Sequence, residues 1–297
     1  DRLAPGAAER MVAAGQALIG IELPPVTDAD QGTLSLEDVD RPASSAEPRV
    51  VVDATDSAAV RPALAALETA YWRHLAQTSP LALAPPTLNV EWLYNPHGRT
   101  AWTLLPGLVG VVAMISMLML GALTLVRERE RGSWETLLAT PVDALDALIG
   151  KLSPYVIISV LQATSVIAIA HVLFDLPVAG NVWALLLAVP VYAAAHLILG
   201  FAFSALAENQ MQAVQGAVFF YLPSMVLSGF MFPFQGMPAW AQTIGEWLPL
   251  THFVRATRGV LLKGQGFSLV VSEMLPVMVF ALVATAVALA AYRFRID

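Results

Sequence analysis

Residues 127–151 read RERERGSWETLLATPVDALDALIGK and lie between two long apolar runs. Arg127, Glu128, Arg129, Glu130 and Arg131 alternate in sign and cannot enter hydrocarbon, so the apolar run before them must end at a water interface. Beyond Gly132, Ser133 suits an N-cap and Glu135 favours the positive end of a helix dipole. Trp134, Leu137 and Leu138 then share one face at i, i+3, i+4 spacing. Thr140, ahead of Pro141, is biased out of the helical region, and Thr140, Pro141 and Asp143 read as N-cap, N1 and N3 of a second helix. Its apolar positions, Leu145, Leu148, Ile149 and Leu152, lead into the next apolar run. The stretch is an amphipathic helical elbow with an aromatic anchor. It suits a helix floating among lipid headgroups and one that docks on something outside the bilayer equally well.

Working outward, five apolar runs at 103–126, 152–174, 182–205, 213–233 and 269–292 each reach the roughly 20 residues a helix needs to cross hydrocarbon. The composition agrees, with 57% hydrophobic and 13% charged residues and a mean hydropathy of +0.65. The expected fold class is a polytopic α-helical membrane protein with five transmembrane helices here and a small α/β domain at the N-terminus. A net charge of −7 leaves no nucleic-acid footprint, and the absence of cysteine excludes disulfides, thiolate metal sites and a cysteine nucleophile. Taking 127–151 as cytoplasmic puts Arg127, Arg129, Arg131, Lys151, Arg293 and Arg295 on that side, against Arg255, Arg258 and Lys263 on the other. That asymmetry supports the orientation and places residues 1–102 outside. A domain there needs a carrier, and since the sequence opens on Asp1 a further span upstream is expected, making six in the full chain.

Residues 1–102 hold 7 basic and 13 acidic side chains and read as a water-exposed domain. Leu18, Ile19, Ile21 and Leu23, and Val50 to Val52, look like short buried strands, 57–78 looks helical, and 27–49 reads as a long loop. Asp53, Asp56, Glu68, His74 and His97 match no metal-ligand spacing and read as solvated surface. Residues 234–268 are too interrupted for a full span, yet Phe234, Trp240, Ile244, Trp247, Leu248 and Phe253 give them the aromatic density of helices lying in an interface or re-entering part way. Within the spans, Pro106, Pro154, Pro190, Pro223 and Pro276 each free a carbonyl that a neighbour must satisfy. Gln162, His171, His196, Gln212, Gln215 and Glu273 are polar groups at membrane depth, where helix-to-helix hydrogen bonding is the commoner role. Gly150-Lys151 is followed by Leu152 and position 145 is Leu, so no phosphate loop exists, and HExxH and GxSxG are also missing.

Three stretches carry a family likeness: VEWLYNPHGRTAWTLLPGL at 90–108, RERERGSWETLLATPVDALDALIGKL at 127–152, and LSGFMFPFQGMPAWAQTIGEWLPLTHFVRATRGVLLKG at 227–264. With the span spacing they cover residues 90–297. The chain resembles the membrane subunit of type 2 ATP-binding-cassette exporters, in the bacterial multidrug-efflux-like group with a large external domain after the first span. The resemblance implies that the elbow docks on an ATPase subunit through Gly132, Ser133, Trp134, Glu135, Leu138 and Pro141. It implies that 227–264 caps the exit between two permeases, with Phe232, Pro233, Trp240, Trp247 and Pro249 as an external gate. Gln162, His196 and Gln215 are the candidate substrate path. The family's amphipathic helix, first span and start of the external domain have no counterpart, although GQALIGIELPP at 15–25 resembles a strand inside that domain.

The expectation is thus a non-enzymatic permease of the bacterial inner membrane that exports an amphipathic, drug-like or lipid-like molecule by alternating access. It would work with a second permease and two ATPase subunits that hold ATP and Mg, amid membrane lipid, with no cofactor of its own. An ion-coupled exporter or channel is the alternative, but it usually needs a mid-membrane carboxylate, and only Glu273, near one end of a span, approaches that. A cysteine placed at position 242 or 258 is expected to react with a membrane-impermeant thiol reagent from outside the cell. Reaction from the cytoplasmic side alone would reverse the placement of 234–268.

Overall fold

The computed structural model describes residues 7–13, 17, 19–22, 49–78, 88–132 and 144–294. It forms two compact units, Asp1–Thr100 and Ala101–Asp297.

The first unit is built on β2 (Arg49–Asp53), whose Val50, Val51 and Val52 are fully buried. Three consecutive β-branched residues favour extended backbone and fill both faces of a central strand. β1 (Ile19–Glu22) pairs with it antiparallel and β3 (Asn89–Leu93) pairs parallel on the other edge. A parallel neighbour needs a crossover, which α2 (Ser57–Thr78) supplies, laying Val60 and Leu64 onto Val50 and Val52. The short α1 (Ala7–Ala13) precedes β1. Asp53 closes the turn into α2, its Oδ1 accepting from the Thr55 amide at 3.0 Å and the Thr55 hydroxyl at 2.6 Å. After β3 the chain turns sharply: Tyr94 has φ +68°, and buried Asn95 bonds both the amide and the carbonyl of Arg99.

The second unit is helical: α3 (Thr100–Glu130), α4 (Ala144–Phe174), α5 (Val182–Leu206), α6 (Gln210–Leu227), α7 (Ala239–Gly245), α8 (Pro249–Leu261) and α9 (Phe267–Phe294). Among the described residues, four segments are long and apolar enough to cross a membrane: Thr100–Glu130, Ser153–Phe174, Val182–Leu206 and Phe267–Ala291. The run expected at 213–233 is different. Its helix starts at Gln210, capped by Asn209 on the Gln212 amide at 2.9 Å, and stops at Leu227, where Ser228 and Gly229, at φ +82°, turn the chain. Apolarity continues through Phe230, Met231 and Phe232, but the helix does not. Three glutamines in its first six residues also dilute it.

α5 is the hub. Its alanines at 193, 202 and 205 pack with Met117 and Leu125 of α3 and with Ala288 and Ala291 of α9. Between α3 and α5 the backbones touch: a Cβ on Gly121 would lie 2.3 Å from the Leu197 carbonyl oxygen, and one on Gly200 would lie 2.3 Å from that of Leu118. The Ser204 hydroxyl accepts from the amides of Leu125 and Val126 at 3.0 and 3.1 Å across the same crossing. Tyr192, fully buried, donates to the Gly110 carbonyl at 3.0 Å and stacks on Phe253 of α8 with centroids 4.1 Å apart. Along α8, Leu250, Phe253, Val254, Val260 and Leu261 are buried, whereas Trp240 of α7 and Trp247 after it are largely exposed. Of the carbonyls freed by proline, that of Gly150, four residues before Pro154, accepts from the Ser153 hydroxyl at 3.4 Å.

Gly121→Val should therefore force α3 and α5 apart. Overpacking of this kind costs about 1–3 kcal/mol, read as a lowered thermal midpoint of the purified protein in detergent. A midpoint equal to wild type would mean the crossing is looser than described.

Candidate functional site

One open cavity of about 600 Å³ lies along α6. Phe203 of α5 forms one wall, Gly216, Phe219, Phe220, Pro223 and Leu227 of α6 form the floor, and Ile244 and Leu248 of the α7–α8 corner close one end. Gln212, Gln215 and Ser224 supply the polar atoms, and among the described residues no charged side chain lines it. Two of those three are already engaged: the Gln212 side chain accepts from the Glu208 amide at 2.7 Å, and the Ser224 hydroxyl donates to the Phe220 carbonyl at 2.8 Å. Gly216 makes room, since a Cβ there would be 3.5 Å from the Phe203 ring. The result is an apolar trough with an exposed amide, Gln215, in its wall. Such a surface takes an apolar or amphipathic body and offers little to a bare ion.

Of the three candidate path residues, Gln215 alone lines this cavity. Gln162 joins α4 to α3, its Nε2 donating to the Ser116 hydroxyl at 2.9 Å. His196 is fully buried in α5, its Nδ1 3.0 Å from the Tyr192 carbonyl and its ring edge-on to Tyr192. That carbonyl can only accept, so Nδ1 carries the proton and Nε2 presents a lone pair, which no donor reaches among the described residues. At the cap, Phe232, Trp240 and Trp247 are exposed and Pro249 is buried as the first residue of α8. The cavity uses Ile244 and Leu248 of this segment in place of its tryptophans.

Gly132 of the elbow is exposed with φ +73°, and its amide bonds the Arg129 carbonyl at 3.1 Å, ending α3 as a left-handed glycine cap does. Ser133, Trp134, Glu135, Leu138 and Pro141 lie outside the described residues. The charges just before them are occupied within the unit. Arg129 donates to the Ala207 and Ala205 carbonyls at the end of α5, at 3.3 and 3.5 Å, and Glu130 accepts from the Gln210 amide at 2.9 Å and from the Gln210 side chain at the start of α6. A cation sits on a helix C-terminus and an anion on an N-terminus, as the helix dipoles favour.

Sequence reading missed a polar cluster at the α7–α8 corner. The Arg255 guanidinium forks onto Glu246 at 2.5 and 2.9 Å and lies over the Phe234 ring, 4.7 Å from its centroid. This paired hydrogen bond holds the Glu246 carboxyl below the usual carboxylate range. His252, side chain 7% exposed, reaches Glu273 of α9 through Nδ1 at 2.8 Å and the Glu246 carbonyl through Nε2 at 2.9 Å. Glu273 was visible as a carboxylate near a span end, but a histidine 21 residues away gives no periodic signal.

Residues 21–291 match the family described as ABC-2 family transporter protein. The chain is 30% identical over 209 residues to the probable multidrug ABC transporter permease YbhR of Escherichia coli (strain K12), covering 70% of this chain and 57% of that protein. It is 29% identical over 205 residues to the probable multidrug ABC transporter permease YbhS of the same strain, covering 68% and 53%. With the inner membrane transport permease YhhJ of that strain it shares 28% over 195 residues, covering 65% and 52%. The chain spans about half the length of the curated relatives it matches. No solved structure matches it.

His196→Leu is expected to unfold within about 1 kcal/mol of wild type, because removing an unmatched acceptor offsets the loss of one hydrogen bond. Thermal unfolding in detergent checks this. A much larger loss would mean that Nε2 has a donor.

Proposed function

The chain belongs to the ABC-2 family of transporter proteins, and from that premise we propose that it is one permease half of an ATP-driven exporter. Two of its relatives are named probable multidrug ABC transporter permeases, and the observation that carries the reading here is the uncharged trough on α6. A large apolar wall with one free amide accepts drug-like or lipid-like molecules that differ in detail, and it holds them by area more than by directed bonds. The trough opens on one flank of the unit, so a second permease laid against α6 would close it into a shared chamber. Two ATP-binding-cassette subunits holding ATP and Mg would drive the alternation of access, through differential binding to the two states.

In this reading five helices cross the inner membrane, α6 joining the four long apolar ones. Its 18 residues span about 27 Å, enough for a thin stretch of bilayer. The first unit and the α7–α8 corner face outward, with Phe232, Pro233, Trp240, Trp247 and Pro249 at the exit, and the elbow faces the cytoplasm. Gly132, Ser133, Trp134, Glu135, Leu138 and Pro141 transmit the stroke, Trp134 as the anchor. Gln215 meets the cargo; Gln162 and His196 lie off the trough and would act through helix packing.

The test uses the full-length permease co-purified with its ATPase subunits, with hydrolysis stimulated by a lipophilic fluorescent dye. Trp134→Ala should leave membrane insertion intact and weaken partner recovery by about thirtyfold, the equivalent of roughly 2 kcal/mol for a buried aromatic anchor. Gly216→Trp should keep the partner but abolish stimulation by filling the trough. Undiminished recovery in the first variant would remove the coupling role from the elbow, and undiminished stimulation in the second would remove the cargo from the trough.

A further inference from the structure

The imidazole of His252 stands between two oxygens that can only accept. Nδ1 is 2.8 Å from the Glu273 carboxylate and Nε2 is 2.9 Å from the Glu246 main-chain carbonyl. A neutral imidazole has one N–H and would turn a lone pair toward the other oxygen; only the imidazolium donates to both. With side-chain exposures of 7% for His252 and 18% for Glu273, water is poorly placed to mediate instead. The charged groups facing the ring are Glu273 from α9, Glu246 from the corner and Arg255 one turn along α8. The neighbouring helices add none: α3 over 100–126, α5 and α6 hold no Asp, Glu, Lys or Arg, and of the titratable rings of α5 Tyr192 sits against Phe253 and His196 against Tyr192.

We propose that His252 is a protonation-dependent latch, which as an imidazolium ties the α7–α8 corner to Glu273 of α9 and on losing its proton lets that corner part from α9. The corner's other side-chain ties do not titrate near neutrality, so the loosening starts at His252. Thr251 Oγ1 donates to the Gly245 carbonyl at 2.6 Å, and the Arg255–Glu246 fork keeps its charges. Phe253 remains stacked on Tyr192. Release is thus confined to residues 245–252. Leu248 of this segment lines the trough, so the end of the cavity moves with the latch whatever the cavity carries.

Burial opposes charge on His252, as does Arg255, but the Glu273 hydrogen bond, the Glu246 carbonyl and the attraction of Glu273 outweigh them and raise its pKa above 6.5. A raised folded-state value means that the tie is complete below about pH 6.5 and is lost as pH climbs through that higher value.

Hydrogen exchange of the full-length permease with its ATPase subunits in lipid nanodiscs, followed from about pH 5.5 to about pH 9 and corrected for intrinsic exchange, reads this directly. In wild type, protection of amides in 245–252 should fall with rising pH by up to tenfold per unit, the slope of one linked proton, while α3 peptides keep theirs. Glu273→Gln should shift the fall to lower pH, and His252→Gln should abolish the slope. Constant wild-type protection relative to α3 overturns the proposal without any variant. A wild-type slope retained in His252→Gln overturns it equally.

Discussion

The second unit depends on the contact of backbone with backbone where α3 crosses α5. Hydrocarbon solvates leucine as well as another helix does, so apolar area alone gives membrane helices little reason to associate. Association then comes from close approach and from hydrogen bonds that have no competitor in the lipid. Gly121 and Gly200 meet reciprocally at that crossing, each leaving no space for a side chain. Because they do, the Ser204 hydroxyl can reach two amides of the opposite helix. The alanines of α5 extend the same logic toward α9, and Tyr192 extends it through Gly110 and Phe253 toward α8. Remove the crossing and the trough loses its back wall, since Phe203 stands one residue before Ser204.

What could be read in the sequence follows from range of interaction. Span positions depend on local apolarity, so the helices at 100–130, 182–206 and 267–294 lie within a few residues of the runs that announced them. At 213–233 the helix ends at Leu227, short of the apolar run, because Ser228 and Gly229 turn the chain and the hydrophobic count cannot register a positive φ. β3 went unread for a related reason: NVEWL has no run of β-branched residues and is specified by pairing with β2, a contact 40 residues away. In the site, Gln215 was legible as a costly polar group at depth. The trough around it was not, since Phe203, Leu227 and Leu248 look like any other apolar residue until the chain brings them together.

The alternating charges at 127–131 serve two ends at once. Read alone they mark a water interface, which is a statement about solvation. In the fold, Arg129 and Glu130 neutralise the facing ends of α5 and α6, so the same charges that stop α3 also hold the turn between the next two helices. Gly132 therefore stands two residues beyond Glu130, the clamp on α6, the helix that floors the trough. Exposed ion contacts of this kind contribute little to stability. Their value is positional, because they fix where the ends of three helices meet.

The corner at 245–252 stands at the opposite end of α6 from that clamp, and the two differ in what can change them. Arginine keeps its charge throughout the accessible range, so Arg129 and Arg255 give permanent ties. Histidine is the one side chain whose ordinary titration falls near neutrality, and His252 is placed where both its ring nitrogens are engaged. With a fixed-charge clamp at one end of α6 and the titratable tie between the corner and α9 beside its other end, a change of pH acts at the second. Motion there alters Leu248 and the mouth of the trough while leaving the Gly121–Gly200 crossing, which contains no ionisable group, in place.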